Sequence, residues 1–405
     1  MQSKPLLWTL MASAVLMMTG LGVATADKRR AAVVETCNVA SGWLEPASAK
    51  SKSLAANKVL ANAAEREFVL LGEQHDDADH HRWQLQTLAG LYAYRPDMVI
   101  GFEMFPRRLQ PVLDRWIEGK LTVREFLTQA EWDTVWSFPP ELYLPLFEFA
   151  RINRIPMVAL NVERSLTKAI GEKGWDNVPA AERAGLSRPA PPLPAYRDIL
   201  SSIYREHMPG PRRAAGKPAR TDKAFEAFVD AQLTWDRAMA EGLANRAVAD
   251  KNGNKPLLVG IMGSGHLRYG HGVPHQLRTL GFNQIATLLP RSEDMACDDL
   301  ESGLADAVFT LPVAAKVAPQ PPLLGVALED AEGSVRVQSI TAGSLAERSG
   351  FAVGDRLIEV AGSPPGNTWS VISIIRRQPP GTWLPLRVQR GETALDLVVR
   401  FPAKT

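Results

Sequence analysis

The chain alternates short, uninterrupted apolar runs with longer amphipathic segments. Phe68-Val69-Leu70-Leu71, Met98-Val99-Ile100-Gly101-Phe102, Met157-Val158-Ala159-Leu160 and Leu257-Leu258-Val259-Gly260-Ile261-Met262 have strand length and contain no polar residue. Such runs between helical stretches predict parallel strands buried on both faces. The amphipathic pattern predicts helices over 80–92, 108–118, 144–153 and 224–249. From 37 to 312 this is the grammar of an α/β domain, a mainly parallel sheet flanked by helices.

Each apolar run delivers polar residues as it ends: Gly72-Glu73-Gln74-His75, Glu103, Asn161, and Gly263-Ser264-Gly265-His266. In an open parallel sheet the ligand crevice lies beyond the carboxyl ends of the strands. Glu73, His75, Glu103, Asn161 and His266 are therefore expected to share one site. Six of the seven histidines fall in two clusters, His75, His80 and His81, then His266, His271 and His275. His80 and His81 read as helix-face residues, and His271 and His275 as loop residues. Two carboxylates and two imidazoles converging in a crevice can hold a divalent metal or orient a water for acid–base catalysis. A cation would also relieve the repulsion between Glu73 and Glu103. Arg107, Arg108 and Arg164 follow the second and third strands, placed to neutralise those carboxylates or to receive an anionic group. An ordinary buried ion-pair network is the alternative.

The texture changes twice along the chain. Between 174 and 222 a proline-rich, basic insertion is expected to be a solvated loop, with a mobile basic lid over the crevice as the functional alternative. Residues 313–322 read as a proline-rich linker. Beyond it, short β-rich runs with glycine turns occupy 323–401. Leu323-Leu324-Gly325-Val326, Ala346-Glu347-Arg348-Ser349-Gly350-Phe351 and Gly354-Asp355-Arg356-Leu357-Ile358 occur in the order of a bacterial PDZ domain, which this segment resembles. The resemblance implies that Leu323, Leu324, Gly325 and Val326 form the loop that receives a peptide or protein C-terminus, with strand addition beside it.

Residues 1–26 carry an early lysine, an apolar core and Ala24-Thr25-Ala26, the order of a secretory signal peptide cleaved after Ala26. A retained inner-membrane anchor is the alternative. A net charge of +2 gives no footprint for nucleic acid. The two cysteines, Cys37 and Cys297, flank the first domain, and in an oxidising compartment they can form a disulfide, with two isolated buried thiols as the alternative.

Gly72-Glu73-Gln74-His75-Asp76, Phe102-Glu103-Met104-Phe105, Trp132 and Trp136 followed by Tyr143, Ala159-Leu160-Asn161-Val162, Gln232 with Trp235-Asp236, and Gly263-Ser264-Gly265-His266 resemble ChaN, the haem-binding branch of the superfamily that includes Tiki, TraB and erythromycin-esterase-like proteins. The resemblance implies an α/β fold with paired Glu and His at the strand ends. It further implies haem or iron uptake, with haem held at a dimer contact through a tyrosine. Tyr143 is the candidate axial ligand, in an aromatic setting with Trp136, and Arg107, Arg164, His75 and His266 complete the candidate haem-binding set. The leading expectation is thus an exported, periplasmic haem-handling protein whose PDZ module recruits a partner. A metal-dependent hydrolase built on Glu73, His75, Glu103 and His266, as in the Tiki branch, is the second reading. A non-catalytic PDZ scaffold is the third.

Overall fold

The computed structural model describes residues 41–136, 138–206, 222–249, 251–313, 323–331 and 334–403. The expected signal peptide, Cys37 and most of the expected linker lie outside the described residues. Sheet A has the strand order β2-β1-β8-β7-β3-β6-β4-β5. Its parallel part comprises β3 (Phe68–Glu73), β4 (Met98–Pro106), β5 (Met157–Asn161), β6 (Leu257–Gly263), β7 (Ile285–Ser292) and β8 (Ala307–Leu311). The edge formed by β1 (Gly42–Glu45) and β2 (Lys52–Leu54) is antiparallel. The expected mainly parallel α/β sheet is therefore present, with a mixed edge.

Along β3 the side chains alternate between two cores, as the two-residue period of a strand requires. Val69 and Leu71 join one core with Ile100, Phe102, Trp83, Trp116 and Phe147. Phe68 and Leu70 join the other with Leu160, Met239, Leu243 and Leu277. The first core is covered by helices α1 (Ala56–Ala64), α2 (Ala78–Tyr94), α3 (Gln110–Ile117), α4 (Val123–Gln129), α5 (Trp132–Val135) and α6 (Leu144–Ile152). On the opposite face lie α7 (Arg164–Lys173), α8 (Pro194–Glu206), α9 (Lys223–Ala244) and α10 (Val273–Thr279).

The insertion departs from expectation. Residues 174–206 are not a solvated loop: α8 buries Tyr196 and Leu200 against Phe225, Val229 and Leu233 of α9. Proline density hid an amphipathic turn pattern, Tyr196 and Leu200 being four residues apart and so on one face. Residues 207–221 lie outside the described residues.

The second domain is a separate antiparallel sheet B of order β13-β12-β11-β10-β9, comprising β9 (Val326–Ala331), β10 (Ser334–Ile340), β11 (Arg356–Val360), β12 (Trp383–Arg390) and β13 (Thr393–Arg400). Two helices, α11 (Leu345–Arg348) and α12 (Thr368–Arg376), pack on its own apolar core. Gly325 takes φ +76°, and a Cβ there would collide with Ser344, so this position of the loop admits only glycine. Leu324 is buried in the core, Leu323 is exposed, and Val326 opens β9, an edge strand. Among the described residues the domains share a polar contact at Asp133. Asp133 of α5 accepts hydrogen bonds from Ser373 Oγ (3.0 Å) and Arg377 Nη2 (3.1 Å), at α12 and its C-terminal end.

Candidate functional site

The parallel register sets the height of the site. Glu73 of β3 pairs with Gly263 of β6, and Phe102 of β4 pairs with Ile261, which brings Glu73, Glu103 and Gly263 to the same level at the sheet's carboxyl edge. The chain turns outward there. The β4–β5 ladder shifts register between Phe102 and Pro106, an irregularity of the kind that re-aims side chains beside a site. Gly72 permits close approach, since a Cβ would collide with Leu289 and Ser264.

Glu73 is the centre of one cluster. Its Oε1 accepts from Tyr143 Oη (2.8 Å) and contacts His75 Nδ1 (2.7 Å), and His81 Nδ1 lies 3.3 Å from Oε2. Burial pushes the Glu73 carboxyl up, but the two imidazoles outweigh it and hold the pKa down at about 2. His81 Nε2 donates to the His75 carbonyl (3.2 Å). Burial disfavours the charged form of both His75 and His81, yet Glu73 raises each above its ordinary value. His80 differs: its Nδ1 accepts from the Gln74 backbone N–H (2.8 Å), and burial lowers its pKa.

The second cluster stands on α9. His266 Nδ1 contacts Asp236 Oδ1 (2.6 Å), and Tyr196 donates to Asp236 Oδ2 (2.8 Å). The other ring nitrogen of His266 lies 3.6 Å from Glu103 Oε1, while Glu103 Oε2 accepts from the Gly263 N–H (2.7 Å). Burial works against the imidazolium, but Asp236 and Glu103 prevail and raise the His266 pKa to about 9. Gly272 closes against this pair, for a Cβ would meet the His266 carbonyl and Asp236.

Glu73, His75, Glu103 and His266 thus meet as the strand ends implied. Asn161 joins as a structural brace, donating to the Glu103 carbonyl (3.1 Å). Two residues named in the sequence but not assigned to the site belong to it. His81 stands in the buried cluster rather than on an outer helix face, and Asp236 orients His266; no strand end marks either one in the sequence. His271 and His275 stay outside, His275 bonding the Pro191 carbonyl (3.0 Å) and His271 stacking on Tyr269.

The expected haem residues divide. Tyr143 is fully buried, with its hydroxyl committed to Glu73 and to the His75 carbonyl (3.2 Å). Burial and the Glu73 charge push its pKa far up, so the phenol stays neutral. This is a core tyrosine holding a carboxylate, which does not fit the role of an exposed axial ligand. Arg107 turns away, donating to the carbonyls of Ala238 (3.0 Å) and Ala184 (3.3 Å). Arg108 is engaged by Glu131 and Glu163. Exposed Arg164 lines a cavity of about 380 Å³ with Met104, Trp136, Asn161 and Trp235. His75 is the accessible imidazole: its side chain is 30 % exposed, and its ring meets Trp136 edge-on at 4.7 Å and Phe138 at 5.4 Å. With Nδ1 directed at the Glu73 carboxylate, Nε2 is the nitrogen left to bind. Among the described residues no group of three or more His, Cys, Asp or Glu side chains is arranged to hold a metal ion. The imidazoles are already matched to carboxylates, and the divalent-metal alternative gains no support.

Comparison with known proteins places these motifs. The family described as "Haem-binding uptake, Tiki superfamily, ChaN" matches residues 59–277, and a PDZ domain family matches residues 322–400. Among solved structures, the one describing cofacial haem binding to ChaN of Campylobacter jejuni is 16% identical with a TM-score of 0.50, covering 67% of this chain and 97% of that one. The HtrA3 PDZ domain bound to a phage-derived ligand is 20% identical, covering 19% of this chain and 82% of that one with a TM-score of 0.18. No curated protein matches the chain.

Proposed function

The chain belongs to the ChaN haem-binding family of the Tiki superfamily and carries a PDZ domain, and from that premise we propose that it binds haem at the carboxyl edge of sheet A with His75 as the iron ligand. One observation carries this reading. The His75 ring is 30 % exposed beside Trp136 and Phe138, and its Nδ1 contacts a buried, ionised glutamate, which leaves Nε2, on the Gly263 side of the ring, as the nitrogen for a ligand. A metal-binding histidine is characteristically oriented by such a carboxylate, which fixes the tautomer and raises the basicity of the free nitrogen. The aromatic rings offer flat apolar contact for a porphyrin, and Arg164 at the rim is matched to a propionate. Bound haem would supply a ferric iron for His75 to hold.

In this reading the protein is exported and handles haem or iron in a periplasm. Two copies meet at the haem face, and the edge of β9 recruits a peptide or protein C-terminus. Such recruitment uses backbone groups of an unpaired edge, which β9 provides. The Cys37–Cys297 disulfide belongs to the same proposal, as an oxidising compartment would permit it.

Haemin titration of the full chain tests the ligand. His75→Ala is expected to lose or shift the Soret band and weaken binding, whereas Tyr143→Phe should keep the band position. A Soret band that responds to Tyr143→Phe and ignores His75→Ala would reverse the assignment. Absence of any saturable haemin signal would sink the haem reading for this chain. Gel filtration with and without haemin checks the pairing of copies.

A further inference from the structure

A second cavity, of about 300 Å³, opens on the other side of β3, walled by Ser264, Tyr269, Leu289, Arg291, Leu300 and Leu304. Leu289 and Leu300 are buried and give it an apolar lining. Arg291, on β7, is 4 % exposed. Its Nε donates to the Ser292 carbonyl (3.2 Å) and its Nη2 to the Met295 carbonyl, but Nη1 is buried with no hydrogen-bond partner among the described residues. Asp299 and Asp294 attract the guanidinium from a distance, but neither forms an ion pair with it among the described residues. A buried guanidinium with an unmet N–H is costly unless an anion completes it.

The opposite wall is held under strain. Tyr269 sits at φ +57°, a left-handed backbone that a bulky aromatic residue rarely adopts. Its N–H bonds the Leu304 carbonyl (2.9 Å) and its hydroxyl donates to Glu301 (2.9 Å), fixing the ring against the cavity. Strain of this kind persists where surrounding contacts over-determine it, and it concentrates at ligand sites.

We propose that this cavity is a binding site for a small monocarboxylate with an apolar body, its carboxylate accepting from Arg291 Nη1 and its hydrocarbon part lying on Leu289, Leu300 and Leu304. The lining sets the class of ligand. The apolar wall favours a hydrocarbon group, and Arg268 and Arg291 are balanced by Asp299 and Glu301 in the lining, which leaves no excess positive charge for a multiply charged anion such as phosphate. The site is separate from the one proposed for haem, and neither reading depends on the other.

Calorimetry on the full chain with 3-methylbutanoate, its uncharged isostere 3-methylbutanamide and inorganic phosphate tests the assignment. The carboxylate is expected to saturate one site, the amide to bind at least about ten-fold more weakly, and phosphate to give no saturable heat. Arg291→Met should abolish carboxylate binding. Leu304→Phe keeps Arg291 and fills the cavity from the opposite wall, so it should abolish binding even if Arg291→Met fails to fold. Both variants should retain haemin titration where folded, which separates this result from failure of the haem reading. No saturable carboxylate binding by the unaltered chain, equal binding of the amide, tighter binding of phosphate, or unaltered binding by folded Leu304→Phe would each overturn the proposal.

Discussion

His266 holds a proton in the fold well beyond the pH at which a free imidazole loses it, because Asp236 and Glu103 both face its ring. Its folded pKa of about 9 lies above the ordinary value of 6.5, so its contribution is full below 6.5 and is lost as pH rises through about 9. At about 1.4 kcal/mol per pKa unit the pair is worth on the order of 3 kcal/mol. Thermal unfolding of the unaltered protein should therefore fall between pH 6.5 and 9.5, and His266→Gln should flatten that fall. Equal slopes in the two proteins would show that another group carries the pH dependence. The residues that the sequence revealed, Glu73, His75, Glu103 and His266, are those at strand ends, where chain position alone implies place in the fold. Asp236 and His81 lie within helices, where only packing decides which face is buried. Tyr143 is hard to read for a related reason: an aromatic-rich stretch looks alike whether it forms a ligand face or a core.

At the scale of elements, α8 links the insertion to the site, since Tyr196 reaches Asp236 and Leu200 seals the α8–α9 contact. Leu200→Ala should destabilise the first domain by about 2–5 kcal/mol in urea unfolding, the cost of a cavity at a buried leucine. If residues 194–206 were only a surface covering, the loss would be nearer zero. The parallel strands were legible because burial on both faces leaves continuous apolar runs. The antiparallel edge of β1 and β2 was not, for Gly42–Glu45 and Lys52–Leu54 are too short to show a period.

Across the whole molecule, the two domains have separate apolar cores and meet through a small polar contact at Asp133. A chain ending at Val313 is thus expected to fold and to titrate with haemin like the full protein, measured by circular dichroism and the Soret band. Loss of haemin binding with the fold intact would mean that the PDZ domain completes the site across the α5–α12 contact. The sheet order carries a different consequence. β6 enters between β3 and β4, although about 150 residues separate β4 from it in the chain, so neither of those strands has its partner on that side until β6 arrives. Closing so long a segment is slow compared with pairing of neighbouring strands. The emerging chain therefore holds its ionisable strand ends apart until late in assembly. The proposed haem site is then complete only once the sheet is, so a half-made chain would hold the separate side chains of that site without the site itself.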